Sequence, residues 1–125
     1  MTGVQTCALP ICALTAVKAL RAAGVNVCAG ADNLQDPFNP MGRADPLETG
    51  SLMVMLAHLL PEQALESIGN NVRMALGLST LSIAPGSVAD LVAIRADSVR
   101  EALAYGPGQR LVLRNGSIVS APATA

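Results

Sequence analysis

At 125 residues the chain has room for one small domain, and its formal net charge of −1, with no basic cluster, makes nucleic acid an unexpected partner. Apolar residues make up 51% of it, yet only Phe38 and Tyr105 are aromatic, a balance that suits a piece of a larger aliphatic core. The longest apolar stretch, Leu52 to Leu60, is broken by His58 and is too short to cross a bilayer, and three cysteines do not make a disulfide framework, so a cytoplasmic, reducing setting without membrane contact is expected.

The first eleven residues, MTGVQTCALPI, resemble no protein sequence but do resemble the translation of a sequencing adapter, and residues 1–11 are expected to be an artefact joined to a genuine partial gene. A secretory or lipoprotein signal is the rival reading. It is disfavoured because no Lys or Arg precedes Lys18 and Ile11 is not the small residue a cleavage site requires.

From Ala13 to Ala23, Leu14, Val17 and Leu20 recur at helical spacing, and Gly24 follows as a C-terminal cap. Val25 to Ala29 is a short apolar run between Gly24 and Gly30, the pattern of a buried strand, so helix and strand form the seam of an α/β repeat. Asp32, Asn33 and Asp36 follow at once, then a long loop, Leu34 to Pro46, of the kind that serves a site. Leu47 to Leu60 reads as a buried helix carrying His58, and Pro61 opens another helix that runs to about Ser67. Asn71 to Leu76 is a short helix closed by Gly77, and Ile83 to Ser87 is a turn. Asp90 to Ile94 is a strand, Ser98 to Ala104 one or two helical turns, and Arg110 to Arg114 with Ser117 to Ser120 a hairpin about Asn115-Gly116. The hairpin turn fully explains Asn115-Gly116-Ser117, which also fits a glycosylation acceptor.

Gly24, Asn26, Val27, Cys28, Gly30, Asp32, Asp36, Pro37 and Phe38 stand where the eighth strand and following loop of the amidohydrolase superfamily carry a G-x-N-V-C-x-G, x-D, D-P-aromatic pattern. The chain resembles that superfamily, above all its cytosine deaminase branch. Pro61 to Leu65, Ala75 to Leu78, Pro85 to Val92 and Arg114 to Val119 extend the resemblance, although the P-G-S-x-A-D-L-V block is common across the superfamily and says little about substrate. The fold class this implies is α/β: residues 12–80 as the C-terminal part of a (β/α)8 barrel (its last helix, strand and helix), and residues 81–125 as part of a small composite β-domain.

The resemblance makes Asp32 the metal ligand and the acceptor of a proton from metal-bound water, where a bare sequence pattern would allow only a loop cap. It makes Asn33, Asp36 and Phe38 the residues facing substrate. Asn33 stands where cytosine deaminases often carry a second acid, which puts cytosine in doubt and opens the way to aminotriazines or other N-heterocycles. The implied cofactor is a divalent iron or zinc, the partner a small N-heterocyclic substrate, and the parent a homo-oligomer. The remaining ligands, an H-x-H on the first strand and histidines on the fifth and sixth, and the acid/base glutamate would lie upstream. The chain as written is therefore expected to be inactive, because one carboxylate cannot hold a catalytic ion. Arg43 and Asp45 are expected to form a loop ion pair, His58 a structural or surface position, and Cys28 a small core residue. The rival reading is an intact, non-catalytic α/β binding module using the Gly30 to Asn33 loop, which would require at least three paired strands around Val25 to Ala29.

Overall fold

The computed structural model describes residues 7–8, 11–12 and 15–122. Two two-residue strands, β1 (Cys7–Ala8) and β2 (Ile11–Cys12), pair antiparallel. The helix expected over Ala13 to Ala23 is shorter: α1 is Val17–Ala22, and residues 13–14 lie outside the described residues. Gly24, at φ +77°, lets the chain reverse, with its own N–H donating to Arg21 O and the Val25 N–H donating to Leu20 O. Those two bonds satisfy carbonyls that the helix end would leave bare.

Val25 to Ala29 is extended but is not a strand of any sheet, and this corrects the expectation of a buried strand. Among the described residues no strand lies beside it, so the ladder cannot form. Val25 is 48% exposed and Cys28 is exposed as well, not a core residue. The segment is held instead from one side, by α3 (Pro61–Ile68) and α4 (Asn70–Ala75). The Ala29 N–H donates to Ser67 O at 2.8 Å, Asn71 Nδ2 to Val27 O at 2.9 Å, and Asn26 Nδ2 to Asn71 O at 2.9 Å.

Helix α2 spans Pro46–Met55, with Asp45 as its N-cap, Pro46 in its first turn and Glu48 near its positive end. It stops five residues short of the expected end at Leu60. His58 sits at φ +52°, a backbone conformation no helix continues through, so it belongs to the link between helices and not to an apolar helix face. Leu60 is extended ahead of Pro61, as the residue before proline prefers, and its N–H donates to Gln63 Oε1. Helix α4 ends on Gly77 (φ +70°) in the same manner as α1, with Leu78 N donating to Arg73 O.

The remainder is a three-stranded antiparallel sheet, β3 (Leu91–Ile94), β4 (Arg110–Arg114) and β5 (Ser117–Ser120), with α5 (Val99–Tyr105) between the first two strands. Asn115 and Gly116 both take positive φ, as the tight turn requires, and a register shift falls between Val112 and Leu113. Pro85 and Gly86 (φ +87°) form the turn closed by Ser87 N donating to Ala84 O.

The core is small: Val17, Leu47, Met53, Ala57, Leu59, Ala64 and Leu103 are the buried apolar residues among those described. Gly50 brings α2 against α5, since a Cβ there would lie 2.7 Å from Leu103 Cδ2. The sheet is tied to the helices by Arg110, whose Nη1 and Nη2 donate to Asp45 Oδ1 and Oδ2 at 2.9 and 2.6 Å. No helix among the described residues is long and apolar enough to cross a membrane.

Candidate functional site

Asp32 lies three residues beyond Ala29, the last residue tied to the α3–α4 corner, and its side chain is exposed. Asn33 Nδ2 donates to Asp36 Oδ2, while Asp36 Oδ1 accepts from the backbone N–H groups of Phe38 and Asn39, both at 2.9 Å. Asn39 Nδ2 closes the ring by donating to Asn33 O at 3.1 Å. Asp36 is thus the cap of its own loop, and these hydrogen bonds, that from Asn39 first, hold its carboxyl below the usual value. The loop brings Asn33 and Asp36 together. It leaves Phe38 pointing to solvent, 86% exposed, so the ring anchors nothing among the described residues.

The expected Arg43–Asp45 pair does not form. Arg43 instead pairs with Glu48, Nε to Oε1 at 3.3 Å, and its N–H donates to Glu48 Oε2. Asp45 is taken by two other duties: capping Leu47 N at 3.0 Å and receiving the Arg110 fork. The fork is the main cause of a lowered Asp45 pKa and a raised Arg110 pKa. Nothing local in the sequence announces this pair, because its members stand 65 positions apart. The Asn71 and Ser67 contacts to the extended segment were equally hidden, although the adjacent Asn70 and Asn71 at the start of α4 were a usable signal.

A cleft of about 720 Å³ lies between the helices and the sheet and is lined mainly by Leu47, Ile68, Val92, Ile94, Leu103 and Val112. None of Asp32, Asn33, Asp36 or Phe38 lines it. Its polar groups are committed elsewhere: Asp45 and Arg110 to each other, Asn70 to Leu81, and Ser98 to the first turn of α5. It is a gap between layers, not a reaction site.

A catalytic ion requires three or more protein donors. Among the described residues no group of three His, Cys, Asp or Glu side chains is placed to hold one. Asp32 supplies a single exposed carboxylate, and His58 sits on the link between α2 and α3. The described residues do not fit a catalytic ion by themselves.

The profile of the amidohydrolase family matches residues 6–120. The pterin deaminase of Rhizobium rhizogenes is 30% identical over 136 residues, covering 94% of this chain and 31% of that protein. Two solved structures superpose on the chain. N-isopropylammelide isopropylaminohydrolase from Burkholderia multivorans has a TM-score of 0.76 at 34% identity, over 86% of this chain and 28% of that one. The 5-methylcytosine deaminase of Klebsiella pneumoniae, liganded with 5-fluorocytosine, has a TM-score of 0.74 at 26% identity, over 90% of this chain and 28% of that one. The chain thus spans under a third of the relatives it matches.

Proposed function

The chain belongs to the amidohydrolase family, and from that premise we propose that it forms part of a metal-dependent hydrolytic deaminase acting on the exocyclic C–N bond of a cyclic amidine such as cytosine. In this reading residues 12–80 belong to the closing part of a (β/α)8 barrel and residues 81–125 to a small β-domain. The observation that carries it is the combined match: the family profile runs through the Gly24 to Phe38 block, and one of the two superposed structures is of an enzyme named as a 5-methylcytosine deaminase.

The reaction adds water to the amidine carbon, breaks the C–N bond and releases ammonia, leaving a ring carbonyl. Asp32 is the proposed proton acceptor from the attacking water, at the start of the loop, and the divalent iron or zinc that such enzymes use would be completed by ligands beyond the described residues. Asn33 faces the ring and offers hydrogen bonds without charge. Asp36 shapes the loop around Asn33, and Phe38 offers an apolar face to a flat heterocycle.

A second reading, an aminotriazine as substrate, is favoured by one residue: the neutral Asn33 where a second acid would suit cytosine. The N-isopropylammelide isopropylaminohydrolase match supports it. The non-catalytic module loses ground, because no strand among the described residues pairs with Val25 to Ala29.

The test is to recover the gene with its flanking sequence and assay the purified product for ammonia or alkylamine release. The panel is cytosine, 5-methylcytosine, isoguanine, pterin and aminotriazines. Turnover of a cytosine-type substrate supports the first reading and turnover of aminotriazines alone the second. Release from none of them overturns both.

A further inference from the structure

The extended segment that leads to Asp32 has no ladder partner among the described residues. Beside the bond from Val25 N to Leu20 O at its start, three hydrogen bonds fix it, two of them from side chains, and all three end on the corner between α3 and α4. Asn71 makes two of them, giving its amide proton to Val27 O and receiving Asn26 Nδ2 on its own carbonyl, both at 2.9 Å. The third runs from Ala29 N to Ser67 O at 2.8 Å.

The corner itself is firmly built. Ser67 is fully buried with its hydroxyl donating to Ala64 O at 2.7 Å, and Asn71 is 9% exposed. Gly69 breaks the helix between them (φ −118°, ψ −106°), and the Asn71 amide lies against the extended backbone across 44 positions of sequence. Beyond Ala29 only Gly30 and Ala31 intervene before Asp32, so the chain carries Asp32 no further than about 10 Å from that anchor.

We infer that Asn71 is a positioning residue for Asp32: its side-chain amide, donating to Val27 O, together with its backbone carbonyl, which accepts from Asn26 Nδ2, sets where the Asp32 carboxylate stands. The inference rests on the proposed role of Asp32 in catalysis. Asn71 itself touches neither substrate nor reacting atoms. A geometric error of about an ångström at a reacting group costs on the order of a hundredfold in rate, so loss of the clasp should appear in kcat well before it appears in binding.

The experiment uses the full-length enzyme and its best substrate. Asn71→Ala is expected to lower kcat by about 10- to 100-fold with KM changed less than about threefold. Asn26→Ala removes one bond from an exposed side chain and is expected to lower kcat in the same sense by a smaller factor, which keeps the test open if Asn71→Ala does not fold. Leu103→Ala, in the core between helices and sheet, is the stability control: a lower melting temperature with kcat unchanged below it.

Each variant is then combined with Asp32→Ala. If Asn71 acts through Asp32, the Asn71 change costs nothing further in that background. Full loss on Asp32→Ala with wild-type kcat in folded Asn71→Ala and Asn26→Ala overturns the inference and leaves the role of Asp32 standing. An additive double variant also overturns it. Wild-type activity in Asp32→Ala instead overturns the role of Asp32 on which the inference rests, and the inference with it.

Discussion

If the chain is part of a longer deaminase as proposed, residues 12–125 produced alone should not stay monomeric. Large apolar side chains face solvent: Met55, Leu56 and Leu60 at the exit of α2 are 59%, 57% and 62% exposed, and Ile118 and Val119 on β5 are 64% and 60%. Val25 to Ala29, bonded on one side to Leu20, Ser67 and Asn71, adds a stretch of backbone with no strand paired to it among the described residues, a template for pairing with another copy. Residues 12–125 produced alone should therefore elute as aggregates, or as a loose state that binds ANS and melts broadly, when followed by size exclusion with light scattering and by calorimetry. The full-length protein should be monodisperse with a sharp transition. A monomeric 12–125 chain with a sharp, cooperative melt would refute the reasoning.

Three further outcomes are expected. In the full-length protein Asp45→Ala should destabilise by about 2–3 kcal/mol, roughly 1 from the lost α2 cap and the rest from the half-buried Arg110 fork, while Asp45→Asn keeps the cap and costs about 1–2. Equal midpoint shifts in urea for the two variants would show that the cap contributes nothing. The folded-state pKa of Asp45 lies below its ordinary value of 3.8, so its stabilisation is complete above that value and fades as pH falls through it towards the folded pKa. The urea midpoint difference between wild type and Asp45→Asn should accordingly hold from about pH 5 to 8 and shrink below about pH 4; a difference that grows in acid would reverse the sign of the argument. Finally, the 125-residue chain alone should neither deaminate the substrate panel nor bind stoichiometric zinc or iron at Asp32. Metal retained by that chain and lost on Asp32→Ala would be the contrary result.

What the sequence announced was local. The Asn115-Gly116 hairpin, the Pro85-Gly86 turn, and the glycines that close α1 and α4 depend on backbone conformations that a few adjacent residues dictate, and all stand where expected. The burial of Val25 to Ala29 was misread because an apolar run reports what a strand could pack against, not whether a neighbour is there. The early end of α2 turned on one residue, His58, taking a left-handed φ that histidine does not advertise. The Asp45–Arg110 fork and the Asn71 clasp were illegible for a different reason. Their partners are 65 and 44 positions away, and only the packing of α3, α4 and the sheet brings them together. At the candidate site the loop was legible but its cap was not: a cap was the alternative for Asp32, whereas it is the Asp36 carboxylate that accepts from the Phe38 and Asn39 N–H groups.

The most direct measurement is a steady-state assay of the full-length enzyme with Asp32→Ala and Asp32→Asn beside wild type, scored by ammonia release from the best substrate of the panel. The account predicts that both variants lose at least about a thousandfold in kcat, since an amide of the same shape cannot take the proton, while their melting temperatures stay within a few degrees because the side chain is exposed. Wild-type kcat in a folded Asp32→Asn enzyme would contradict it.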